Sequence, residues 1–213
     1  MLGELQRALE IIYGVDSPHR VEDFVVEAKT LEALGTRLRA PEELLVLESG
    51  GEVEIALYVS PEVMARLPSL GSKGARFLEG LLPAFATAAE GVSHFVYLTA
   101  QALKDRAVSL LELEAQAEID KFATAALHLW KNGDRRRSRE LHARLFDQVG
   151  YREDLSGDER DRYVTANRLA RGYADFLETR FLALGRLEEL LRELRKVYRL
   201  ASFEKLGYMA QRG

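Results

Sequence analysis

Cysteine is absent from the chain, which excludes a disulfide framework, a thiolate metal site and a cysteine nucleophile together and fits a reducing compartment. Long apolar runs are missing as well, and nothing approaches the ~20 consecutive apolar residues that a membrane span requires. The N-terminal stretch places Glu4, Arg7 and Glu10 among leucines, so it lacks the basic start, apolar run and small-residue cleavage site of a secretion signal. These absences predict a cytoplasmic protein with no membrane segment. Familiar catalytic spacings are missing too: there is no Gly-x-Gly-x-x-Gly, no Gly-x-Ser-x-Gly and no His-Glu-x-x-His. No serine has an evident base and acid partner, and the expectation leans away from an enzyme.

What is present suffices for a core. Apolar residues fill 47% of the 213 positions, enough for a hydrophobic interior without covalent staples. The net charge of -4 is unevenly spread: residues 1–70 carry thirteen acidic and six basic side chains, 71–130 seven and five, and 131–213 fourteen and nineteen. The last part is mildly basic, but acids interleave with its arginines and weaken the field an anionic partner would feel. Nucleic acid is not favoured as a partner.

Leu2, Leu5, Leu9 and Ile12 recur at helical spacing, with Gly14 as a stop. Val53, Ile55, Leu57 and Val59 alternate with Glu52, Glu54, Ala56 and Tyr58, the period of a half-buried strand. Ser49-Gly50-Gly51 separates that strand from the run Leu44 to Glu48 and predicts a hairpin turn. Ser60 and Pro61 read as the cap and first residue of a short helix that Pro68 ends. From Gly71 onward the period is helical throughout. Pro83 and Gly91 predict a kink or a break within 75–104. Ser109 with Glu112, and Ser156 with Glu159, have capping-box spacing and open helices to about Trp130 and towards Leu184. Arg135 to Gln148 reads as a further helix, and Gly185 interrupts the chain before the stripe Leu187, Leu190, Leu191, Leu194 and Tyr198. The expected fold is α+β and predominantly α: a small subdomain over 1–70 of helix, short antiparallel strands and short helix, then a multi-helix bundle over 71–213.

Glu90, His94, Tyr97 and Gln101 fall within a sector of roughly 60° on a helix that turns ~100° per residue. The plainer reading is a solvated helix face. The functional one is a lined pocket in which His94 ligates a metal or moves a proton while Glu90 sets its tautomer. Glu118 falls inside the apolar stripe Leu111, Ala115, Ile119, Phe122, Ala126 and Leu129, where a carboxylate needs a proton, a cation or a metal. Arg180, on the stripe of the last long helix, is its favoured structural partner. Glu114 lies one turn before Glu118. Glu90, His94, Glu114 and Glu118 thus form a candidate divalent-metal set, although their spacings differ from the Glu-x-x-His pattern of helical-bundle carboxylate proteins.

Two other segments invite an anion. Gly71-Ser72-Lys73-Gly74 precedes a helix but lacks phosphate-loop spacing and reads as a turn. Arg135, Arg136, Arg137 and Arg139, followed by Arg160, Arg168 and Arg171, form a candidate partner-binding surface, with Trp130, Phe146 and Tyr151 as the aromatics available for stacking. Solvated helix faces are the plainer account of these arginines, and His128 reads as a polar surface residue.

Three functions follow. The leading expectation is a non-enzymatic interaction or accessory protein that holds an acidic protein partner and needs no cofactor. The second is a helical-bundle protein that binds a divalent metal or small ligand through Glu90, His94, Glu114 and Glu118. The third is polyanion or nucleic-acid binding through 135–171. The stripe from Leu187 to Leu194 could also serve a second copy of the chain, making a homo-oligomer.

Overall fold

The computed structural model describes residues 1–33, 35–49, 52–67 and 74–213. Helix α1 (Leu2–Tyr13) buries Leu2, Leu5, Leu9, Ile12 and Tyr13, and Gly14 closes it in the left-handed conformation at φ +62°. A 3₁₀ turn (Val21–Phe24) and α2 (Ala28–Ala33) lead to strands β1 (Glu42–Ser49) and β2 (Glu52–Val59). The strands pair antiparallel with Glu42 opposite Val59, and Val25 adds a single parallel bridge to Leu57. Leu57 and Val59 point into the core, as the alternation predicts, but Tyr58 is buried too. The predicted turn at Gly50-Gly51 lies outside the described residues, as do Pro68, the segment Gly71 to Lys73 and the expected domain boundary. Ser60 caps α3 (Pro61–Arg66), its hydroxyl accepting from the Val63 N–H.

After α4 (Gly74–Arg76), the π turn Phe77–Leu81 runs into α5 (Leu82–Ala102). The helical run is not broken at Pro83 or Gly91, but its ladder is distorted by the π turn Phe77–Leu81 directly before Pro83. Pro83 falls in the first turn of α5, just after that π turn, and α5 continues unbroken through Gly91. Then come α6 (Leu110–Lys131), α7 (Ser138–Phe146), α8 (Gly157–Leu177) with a π turn at Glu178–Leu182, α9 (Leu187–Tyr198) and α10 (Ser202–Ala210). Ser156 and Glu159 form the full capping box of α8. Ser109 makes only half of one for α6: its hydroxyl accepts from the Glu112 N–H, while the Glu112 carboxylate turns inward.

The bundle is built on α5 and α6, which run antiparallel, with α8 against α6. The hairpin, α1 and α3 lie on α5; α9 lies on α1; α10 rests on α8 and α6. One hydrophobic cluster joins Leu2 and Leu9 of α1 to Leu57 of β2, Phe95 of α5, Phe122 of α6, Tyr173 of α8, Leu194 of α9 and Met209 of α10. The N-terminal elements and the bundle therefore share a core. Among the described residues no helix is long and apolar enough to cross a membrane.

Candidate functional site

Because α6 is covered on nearly every side, its polar residues have nowhere to go but inward. They form two rows at the four-residue spacing of a helix face. Glu114 and Glu118 make one row, and Glu112, Gln116 and Asp120 make the other.

The first row faces α5 and the start of β1. Glu90, His94 and Glu114 each present a ligand atom, and these atoms all lie within 4.8 Å of one another. His94 stands between two carboxylates, its Nδ1 3.7 Å from Glu42 Oε1 and its Nε2 3.6 Å from Glu114 Oε2. Both separations exceed hydrogen-bond length, and His94 Nε2 and Glu42 Oε1 are buried with no hydrogen-bond partner. Burial opposes a charge on His94, but the Glu114 and Glu42 carboxylates outweigh it and push the imidazole up to about 10. The solvated-face reading of this stripe is overturned: His94 is 8% exposed, Tyr97 0% and Gln101 1%. The hairpin, α1, α3 and α6 all pack on α5 and bury this part of it.

Glu118 lies beside the group without joining it. Its Oε1 is 2.7 Å from Lys121 Nζ, which also lies 3.1 Å from Glu90 Oε2. Arg180 is exposed in the π turn after α8, so the expected Arg180–Glu118 pair gives way to Lys121, one helical turn from Glu118 on the same helix. Burial raises the Glu118 carboxyl and, for want of a full counter-charge, that of Glu42; Glu90 is also opposed by burial but lowered overall by Lys121 and His94. Tyr163 of α8 shares this surrounding, pushed up to about 12 by burial and by the charges of Glu114, Glu90 and Glu42.

Four carboxylates, those of Glu42, Glu90, Glu114 and Glu118, thus meet the ammonium of Lys121 and the imidazole of His94. Fully ionised, they outnumber the cations among the described residues of this cluster by two even with His94 protonated. Buried charge of one sign is costly without compensation. Two members of this cluster, Glu42 and Lys121, escape sequence reading. Glu42 opens a strand whose neighbours look half-exposed, and Lys121 looks like an ordinary helix-surface lysine.

The second row carries a network that the sequence does not announce. Asp120 accepts from the Tyr13 hydroxyl, from Ser93 Oγ at 2.6 Å and from Gln116 Nε2 at 2.8 Å. Burial pushes its carboxyl up to about 6 against those three donors. Glu112, fully buried, accepts from Tyr97 and Arg106. From α10, Lys205 reaches in with 0% exposure, donating to Tyr97 and, at 2.9 Å, to Gln116 Oε1. Burial drives the Lys205 ammonium well below the usual lysine range.

The arginine segment is mostly answered locally. Arg139 pairs with Asp175 and lies 3.9 Å from Glu178; Arg137 pairs with Glu140 at 3.6 Å; Arg135 lies over the Trp130 ring at 5.7 Å. Further along, Arg171 pairs with Asp147 at 2.7 Å and Arg160 lies over Tyr151 at 6.0 Å. Arg136 is exposed. Phe146 is buried, and His128 is half-buried, its ring 4.5 Å from that of Phe77. Of the Leu187 to Leu194 stripe, Leu190 and Leu194 are each 1% exposed where α9 lies on α1, while Leu187 and Leu191 are half-buried. No family model, no curated protein and no solved structure matches this chain.

Proposed function

We propose that this protein binds a divalent metal ion between α5 and α6, with Glu90, His94 Nε2 and Glu114 as ligands. The observation that carries the reading is a buried imidazole nitrogen with no hydrogen-bond partner, set among carboxylates that outnumber their cations. Donors stand about 2.0–2.2 Å from a first-row divalent ion, so neighbouring ligands of a tetrahedral site are separated by roughly 3.4 Å. The 4.8 Å spread of the three donors therefore needs side-chain rotation that closes the widest pair by about 1.4 Å. Glu42, 3.7 Å from Nδ1, is placed to orient a ligating histidine and fix its tautomer once the pair closes to hydrogen-bond distance. One imidazole with two carboxylates suits Mn²⁺, Fe²⁺ or Zn²⁺ better than the all-oxygen sites of Mg²⁺ and Ca²⁺.

Elemental analysis of protein purified without chelator, followed by Mn²⁺ titration of the metal-free form, tests this. Wild type is expected to bind one equivalent, and His94→Ala to bind about tenfold more weakly or not at all. Binding must also raise the thermal midpoint, by an amount worth about 2.7 kcal/mol at a hundredfold excess over the dissociation constant. Parent protein with neither bound metal nor metal-dependent stabilisation would overturn the reading. The alternative, an accessory protein holding an acidic partner on Arg135 to Arg139, has less support because Arg137 and Arg139 already have acidic partners within the chain.

A further inference from the structure

Glu90 is shared between two groups. It belongs with His94 and Glu114 in the triad whose donors converge, and its Oε2 lies 3.1 Å from Lys121 Nζ. A carboxylate has two oxygens and about four lone-pair directions, enough to face two cations at once. On the far side of Lys121 stands Glu118, 2.7 Å from the ammonium. The Glu118 and Lys121 side chains are 17% and 11% exposed, so this second half of the cluster is nearly as enclosed as the first.

The arrangement is that of two cation positions bridged by one carboxylate, with a tethered ammonium in one of them. We infer that Lys121 is a built-in surrogate for a second metal ion, and that it limits the protein to one divalent ion where the carboxylates alone would take two. This rests on the reading of Glu90, His94 and Glu114 as a metal site. The ammonium acts in two ways. It neutralises Glu118 and half-satisfies Glu90, which removes the attraction for a second ion, and its bulk occupies the space such an ion needs. Without it, Glu90 and Glu118 would offer two carboxylates to a hydrated Mn²⁺, with Glu90 bridging.

The test compares Mn²⁺ stoichiometry, by equilibrium dialysis with elemental analysis, in wild type, Lys121→Ala and the double variant Lys121→Ala/Glu118→Gln. The expected results are one, two and one equivalents. In Lys121→Ala the two ions share Glu90 and lie about 3.5–4 Å apart, as in two-metal sites, so their electron paramagnetic resonance spectrum should show exchange coupling that wild type lacks. One equivalent in a folded Lys121→Ala protein, or two in wild type, overturns the surrogate role while leaving the metal site standing. No metal in wild type overturns both. Should Lys121→Ala unfold when metal-free, saturating Mn²⁺ must refold it with two equivalents bound; a variant that stays unfolded overturns the inference, because ions that replace the ammonium would restore the missing charge.

Discussion

Gly91 of α5 lies directly against Glu42 of β1: a Cβ at position 91 would stand 2.7 Å from Glu42 Cγ and 2.9 Å from Leu57 Cδ1. Glycine in a helix interior is about 1 kcal/mol less favourable than alanine, so its presence here goes against local preference. What it permits is the close seating of the hairpin on α5, which brings the Glu42 carboxylate to His94 Nδ1. Gly91→Ala should push the hairpin outward at an overpacking cost of about 1–3 kcal/mol, more than the helical preference returns. Urea denaturation should show a less stable protein, and Mn²⁺ titration a weaker site. A variant more stable than the parent with unchanged Mn²⁺ affinity would show the contact to be idle.

His94 makes the metal-free protein sensitive to alkali. Its folded pKa is raised from 6.5 to about 10, so between those values the folded state holds a proton that the unfolded state has released. The resulting stabilisation is complete below pH 6.5 and is lost as the pH rises through about 10. Urea unfolding of the metal-free parent and of His94→Gln at pH 6, 8 and 10 should therefore give curves that converge towards pH 10, where the parent has lost this advantage. Parallel pH dependences would refute the assignment.

The same proton must leave before Nε2 can ligate a metal. Mn²⁺ affinity should rise with pH between about 6.5 and 8.5, and calorimetry in two buffers of different ionisation enthalpy should find about one proton released per ion bound. Affinity that is flat with pH would place the metal elsewhere.

Lys205 secures α10 through a fully buried side-chain nitrogen that donates to Tyr97 and Gln116. Lys205→Ala removes the stem and leaves those groups without their donor, at a cost of about 2–5 kcal/mol from the cavity and the unsatisfied polar atoms. Hydrogen exchange over Ser202–Ala210 should accelerate in the variant. Unchanged protection of α10 would mean that apolar contacts such as Met209 hold it alone.

The arginine segment should bind polyanions poorly. With Arg137, Arg139 and Arg171 each paired to an acid, a labelled oligonucleotide should bind only weakly at 0.15 M salt (roughly physiological ionic strength), with a shallow salt slope. Steep salt dependence, of the kind that several phosphate contacts produce, would reopen the nucleic-acid reading. Exposed pairs of this sort contribute about 0–1 kcal/mol each, so Arg139→Ala should leave folding stability nearly unchanged.

Much of the fold was legible because local rules act locally. Gly14 ends α1, Ser60-Pro61 opens α3, the Ser156–Glu159 box opens α8 and Gly185 interrupts the chain at φ +74°. At Pro83 the expected disturbance took the form of a π turn directly before the proline, which the sequence pattern does not specify. Ser109 was half right, since Glu112 had a stronger claim on it from Tyr97 and Arg106.

The candidate site was legible in part. Glu90, His94, Glu114 and Glu118 could be picked out because polar residues at helical spacing stood beside or within apolar stripes. Their companions could not. Glu42 is 48 positions before Glu90 in the numbering, and only the packing of β1 on α5 brings it to His94. Lys121 became the partner of Glu118 because that face of α6 turns towards α5 and β1, while Arg180 turned to solvent.

The sequence by itself determined most of the longer helices, several of their caps, the paired strands and the presence of a carboxylate that would need compensation, because capping, periodicity and the cost of buried charge operate within a few residues. Only the tertiary structure decided which face of α5 and α6 is dry, and so which cation answers which carboxylate. Electrostatic partners are selected by distances of a few ångströms across helix contacts, and those distances depend on how α1, the hairpin, α8 and α10 close around the central pair.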